Sequence, residues 1–184
     1  MKNKENSWKE KKAEGDVFEL YSVRDIQRKK YSKAFIDDRG KKFDLWDIYI
    51  SETIKIECKN DEKGLETKNI CIEIGCDGNP SGLSVTQAEY WLISGGVLTF
   101  LIHTATLKKL IQEEYKDKLN LYINSDNNGP LNLNGILFQE KYPVLQGDNT
   151  TKYMDWYLIP QKFFAGFCLE VAEGDKMTYE KIVP

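Results

Sequence analysis

Hydrophobic positions along this chain change period twice, and the changes mark out its elements. Between Lys12 and Lys30, Val17, Leu20, Tyr21, Val23 and Ile26 recur at helical spacing among charges, which predicts a first helix. "DDRGKK" (Asp37 to Lys42) is a turn by composition. The period then shortens to two. "FDLWDIYI" reads as a strand, "SET" as a tight turn and "IKIECK" as its hairpin partner. "NICIEI" (Asn69 to Ile74) is a third strand, followed by the glycine-rich loop "GCDGNPSG".

Ser84 with Gln87 three residues later has the form of a capping box. A second helix is expected from there, with Ala88, Trp91 and Leu92 as its apolar face and the glycines at 95 and 96 as its end. "VLTFLIHT" is a near-continuous apolar run, the mark of a strand buried on both faces, and a helix from Thr106 to Lys116 follows it. This order, α-β-β-β-α-β, predicts a βα crossover that sets the last strand parallel to a neighbour. Beyond it, "LNLYI", "GILF" and "WYLIP" read as short strands, "NSDNNGPLNLNG" and "QGDNTTK" as loops, and "QKFFAGF" as a short helix. The expectation is a single α/β domain, with a core over about 12–117 and a C-terminal α+β extension over about 118–184.

Composition narrows the chemistry. Four cysteines include no C-x-x-C pair and His103 is the lone histidine, so a zinc site is not expected and the thiols read as reduced. No apolar run approaches the ~20 residues of a membrane span. The N-terminus lacks the apolar centre of a signal peptide, which makes a cytoplasmic address the expectation. Net charge is −3 but unevenly spread: through Lys42 there are 13 Lys/Arg against 8 Asp/Glu, a balance of +5, leaving −8 for the rest. A basic N-terminal portion beside an acidic remainder suits a phosphate-facing surface next to a metal-binding cluster. Arg28, Lys29, Lys30 and Lys55 are its candidate nucleic-acid contacts.

The strand "IKIECKND" puts Ile54, Ile56 and Cys58 on one face and Lys55, Glu57 and Lys59 on the other. A hairpin turning near Ser51 to Thr53 brings Asp47 alongside Glu57. Two carboxylates that close repel unless a cation lies between them. Oxygen donors without histidine or thiolate suit Mg²⁺ or Mn²⁺. Lys59 shares the face of Glu57 and can approach a scissile phosphate.

Asp47, nine residues, then Glu57-Cys58-Lys59, within an α-β-β-β-α-β order, resembles the PD-(D/E)XK nuclease superfamily. Trp46 stands where that pattern usually has proline. "ETKNICIEI", "PSGLSVTQAEYW", and "GDN" before "YLIP" resemble small phage and bacterial Holliday-junction-resolvase-like endonucleases of that superfamily. The resemblance implies a restriction-endonuclease-like core, a central mixed sheet flanked by helices. It implies Mg²⁺-dependent cleavage of DNA, with branched DNA as the favoured substrate and a homodimer as the working unit. A sequence-reading restriction-type enzyme and a nuclease-like subunit that binds without cutting are the alternatives. Asp47 and Glu57 would hold the metal with help from the Cys58 carbonyl, and Lys59 would orient water and stabilise the phosphate. "GDVFE" resembles the first-helix G-x-x-x-E of resolvase-like members and suggests Glu19 as a further ligand. Asp44 is the rival to Asp47, from the opposite face of an unbroken strand. Glu73, Gln87, Asp148 and Asn149 are open as additional contributors, and His103 reads as structural.

Overall fold

The computed structural model describes residues 4–38, 45–113, 131–133, 136–145 and 150–183. It is a mixed α/β structure of two sheets and few helices. Helix α1 (Lys4–Lys29) leads into the short strand β1 (Phe35–Ile36), then β2 (Ile48–Ser51) and β3 (Ile54–Asn60). A single turn of helix, α2 (Gly64–Thr67), precedes β4 (Asn69–Cys76) and β5 (Asn79–Pro80). After a 3₁₀ turn at Gly82–Ser84 come β6 (Tyr90–Ser94), β7 (Leu98–His103) and helix α3 (Thr104–Lys108). The C-terminal part holds β8 (Leu131–Leu133), β9 (Ile136–Leu145), β10 (Thr151–Pro160), helix α4 (Gln161–Phe164) and β11 (Glu170–Glu173). The first sheet has the order β1-β2-β3-β6-β7-β11, and the second β5-β4-β10-β9-β8. Only β3 and β6 pair in parallel among the described strands.

Two cores follow from strand alternation. Trp91, Ile93, Phe100 and Ile102 of the first sheet pack against Ile70, Ile72, Phe138, Tyr157 and Ile159 of the second. On the other side of the first sheet, Ile54, Ile56, Cys58, Leu92 and Leu101 pack under Val23 and Ile26 of α1 and under Met177, Tyr179 and Ile182 near the C-terminus. The first sheet is therefore buried on both faces, which is why β7 reads as a near-continuous apolar run.

That burial corrects the helix expected from Ser84 to the glycines at 95 and 96. Ser84 closes a 3₁₀ turn by donating its N–H to Ser81 O, and Tyr90–Ser94 is a strand between β3 and β7. A short apolar run buried on two faces satisfies helical and strand spacing alike, and tertiary pairing decides between them. Gly95 and Gly96 are not a helix end but the β6–β7 turn. Gly96 has φ +95°, and a Cβ on Gly95 would press on Ile70 and Phe100. It follows that β7 runs antiparallel to β6, and the parallel crossover pair is β3–β6. Nor does β4 join the hairpin's sheet; it pairs with β10 and β5 in the second one. The helix expected from Thr106 begins at Thr104, with the His103 ring nitrogen Nδ1 accepting from Ala105 N at 3.1 Å, and passes into a π turn at Lys109–Glu113. "QKFFAGF" is helical as expected, α4 running on into a 3₁₀ turn. "LNLYI", Asp44, Asp148 and Asn149 lie outside the described residues. No helix among the described residues is long and apolar enough to cross a membrane.

Candidate functional site

The β2–β3 hairpin sets the geometry. Ile48 pairs with Ile56 and Tyr49 with Lys55, and Asp47 immediately precedes the first of these pairs. Asp47 N donates to Ile56 O at 3.0 Å, so Asp47 lies against the same residue that Ile48 pairs with. There a side chain takes over: the Asp47 carboxylate accepts the Cys58 N–H at 2.7 Å. Asp47 is thus held by its own hairpin, and it caps the ladder where β2 begins.

Glu57 and Lys59 point into the space between the two sheets. Their parallel neighbours are Trp91 and Ile93, both in the inter-sheet core. Glu57 is 5% exposed, and Lys59 Nζ stands 2.6 Å from its Oε1. The same ammonium lies 5.9 Å from the centre of the Trp91 ring. Burial works against the charged form of Lys59, yet its pKa is raised. The charges of Glu57 and Asp47, the hydrogen bond to Glu57 and the charge of Glu73 together outweigh desolvation. Glu73 reaches this ammonium electrostatically from β4 of the second sheet, where it accepts a short hydrogen bond from Ser81 Oγ.

Cys58 faces the other way, into the core beneath α1. Its thiol is pushed well above the usual range by burial first, then by Asp47, Glu19 and Glu57, with Lys59 opposing. These four are the charged residues that the sequence assigns to the metal and the phosphate, and all of them act on this one thiol of β3. Glu19 does so from α1, on the opposite side of the strand from Lys59.

The remaining candidates have other engagements. Lys55 Nζ donates to Glu52 O at 3.0 Å and lies 4.9 Å over the Trp46 ring, at the turn end of the hairpin. Trp46, in turn, donates Nε1 to the buried Asp37 at 3.2 Å. Lys29 Nζ donates to Asp25 at 3.0 Å and to Met177 O at 2.7 Å, while Lys30 Nζ donates to the carbonyls of Glu180 and Ile182. These two lysines hold down the C-terminal segment. Arg28 pairs with Asp25 at 2.7 Å with its side chain 66% exposed. Gln87 makes no capping box; its N–H donates to Leu45 O.

Two members of the site were not legible as such. Trp91 was hidden by its assignment to a helix, and only the β3–β6 pairing sets it beside Glu57. The Ser81–Glu73 contact depends on Gly82, whose φ of +51° lets the turn lie against β4 at Glu73. A serine and a glycine in a loop announce a turn, not its neighbour.

Among the described residues no group of three or more His, Cys, Asp or Glu side chains is arranged to hold a metal ion. Asp47 and Glu57 supply two carboxylates, hard oxygen donors of the kind Mg²⁺ prefers. That ion is commonly held by one or two carboxylates, with waters and substrate phosphates completing its shell. The donors therefore fit Mg²⁺ in type and in number. Comparison of the chain with protein-family models, curated proteins and solved structures found no match.

Proposed function

We propose that the chain is a Mg²⁺-dependent endonuclease that hydrolyses phosphodiester bonds in DNA, with branched DNA as its favoured substrate. The observation that carries the reading is the hairpin itself: the Asp47 carboxylate bonded to Cys58 N between Glu57 and Lys59, with the Lys59 ammonium 2.6 Å from the Glu57 carboxylate. In this reading α1, the β2–β3 hairpin and the parallel strand β6 form a restriction-endonuclease-like core, in which β4, β5 and the 3₁₀ turn replace the usual crossover helix.

Each residue then has a physical task. Asp47 and Glu57 would hold the metal, aided by the Cys58 carbonyl, and Glu19 would add negative charge from α1. When bound, Mg²⁺ supplies charge against the phosphate and acidifies water. Lys59 is 43% exposed in its side chain, so its ammonium can leave Glu57 by rotation of a flexible stem and meet the phosphate as negative charge develops there. Arg28, whose side chain is 66% exposed, is the phosphate contact in this scheme. Lys29 and Lys30 act by securing the C-terminal segment beneath it.

A second reading, a nuclease-like subunit that binds DNA without cutting, is favoured by one observation. Both carboxylates already have partners within the chain, Cys58 N for Asp47 and Lys59 for Glu57. The deciding experiment is a panel of four-way junction, linear duplex and single strand incubated with Mg²⁺, Mn²⁺ or EDTA. Cleavage of the junction with a divalent ion, lowered a hundredfold or so by Lys59→Ala, is the expected result. Turnover in EDTA, or a fully active Lys59→Ala enzyme, overturns the mechanism. Binding that falls steeply with salt and is never followed by cleavage selects the second reading.

A further inference from the structure

Helix α1 is apolar on two opposite sides. One side, with Phe18, Ser22, Val23 and Ile26, packs on the first sheet. At 100° per residue, Ala13, Val17, Leu20 and Arg24 fall within about 60° of one another on the side facing directly away from that core, with Tyr21 at its edge. Val17 is 65% exposed, Tyr21 50% and Leu20 41%. A helix of a globular protein ordinarily keeps that side polar. Along one flank, Ala13, Glu14, Val17, Phe18 and Tyr21 join Asn60 at the end of β3 to form a shallow open groove.

The charges at the ends of this stripe differ in sign. Glu14 lies at its N-terminal end and Arg24 at its C-terminal end, and both are exposed. Among the described residues neither has an ion-pair partner within the chain. A second α1 laid parallel would set Glu14 on Glu14 and Arg24 on Arg24. Laid antiparallel about a two-fold axis between Val17 and Leu20, it satisfies every position. Val17 meets the partner's Leu20, and small Ala13 makes room for the partner's Arg24. The guanidinium then reaches Glu14, and Tyr21 settles over the groove rim. The spacing 13, 17, 20, 24 alternates four and three residues, as a helix-pair seam requires. By symmetry each contact occurs twice.

We propose that this face of α1 is the self-association surface of the protein, an antiparallel α1–α1 pairing that makes a two-fold dimer. The proposal uses none of the carboxylate chemistry, and its test leaves the nuclease reading untouched in either direction.

Sedimentation velocity of the full chain over a concentration series tests it. The wild type is expected to dimerise reversibly. Val17→Glu would place two carboxylates in the seam and weaken the dimer by about a hundredfold or more. Glu14→Arg and Arg24→Glu alone would each weaken it by about tenfold, because like charges then meet twice. The double variant Glu14→Arg/Arg24→Glu would restore association. All these positions are exposed, so circular dichroism should report an unchanged fold. A wild type that stays monomeric at every concentration overturns the proposal. So does a dimer indifferent to Val17→Glu, or a double variant no better than its singles.

Discussion

Replacing Lys59 by methionine keeps the length of the side chain and removes its charge, and the consequence can be worked from the structure. The ion pair is lopsided: Glu57 is 7% exposed in its side chain and Lys59 43%. An exposed pair contributes about 0–1 kcal/mol, and breaking a fully buried one by deleting a partner costs about 3–5 kcal/mol. The carboxylate left behind is the buried member, whereas the lost ammonium was half in water, so Lys59→Met should cost about 2 kcal/mol. For a chain of this size that lowers Tm by roughly 4–8 °C. Glu57→Gln should cost less, about 1 kcal/mol, since the stranded ammonium can swing into solvent. Repulsion between Asp47 and Glu57 alone would make that second variant stabilising; the 2.6 Å contact to Lys59 reverses the sign.

The pH dependence follows from the sign of the lysine shift. In the wild type the raised pKa of Lys59 means its stabilisation is fully present below the unfolded lysine value of about 10.4, and is lost as pH rises through the higher folded value. The lysine stays charged around neutrality, so the Lys59→Met deficit should be constant between about pH 7 and pH 9. Thermal melts of the wild type and both variants across that range measure it. A Lys59→Met protein as stable as wild type at every pH, or a deficit that vanishes between those values, would refute the reasoning.

Other perturbations have equally definite expectations. Gly82→Ala should destabilise by about 2–3 kcal/mol in chemical denaturation, because φ is +51° and a Cβ would run into the Glu73 carbonyl; Gly78→Ala, also at positive φ but with nothing near its Cβ, should cost less. Asp25→Ala should cost about 3 kcal/mol, since buried Asp25 accepts from Arg28, Lys29 and, at 3.0 Å, the Tyr179 hydroxyl, and the phenol would be left buried without its acceptor. Limited proteolysis of that variant should open first near the C-terminus. Burial raises the thiols of Cys58 and Cys168, the latter to about 12, so alkylation of these two at pH 8 should be slow until the chain is unfolded.

What the sequence determined by itself was local. Alternation in "IKIECKND" put Glu57 and Lys59 on one face, and a turn at Glu52 and Thr53 sufficed to return Asp47 to the backbone of β3 at Cys58, because a hairpin needs no information from elsewhere in the chain. "QKFFAGF" formed its short helix for the same reason. The tertiary structure decided whatever depended on burial or on distant partners. Tyr90 to Ser94 is a strand because sheet neighbours cover its edges and cores cover its faces, and apolar spacing is blind to that difference. The third strand serves a second sheet because its partner is β10, more than seventy residues later in the chain. Lys29 and Lys30 look like a phosphate-binding run until the carbonyls of residues 177, 180 and 182 arrive to accept from them. The pairs that complete the site join distant stretches of the chain: Glu57 meets Trp91 through the parallel β3–β6 pairing, and Lys59 feels the charge of Glu73 from the second sheet. No spacing along the chain encodes either pair.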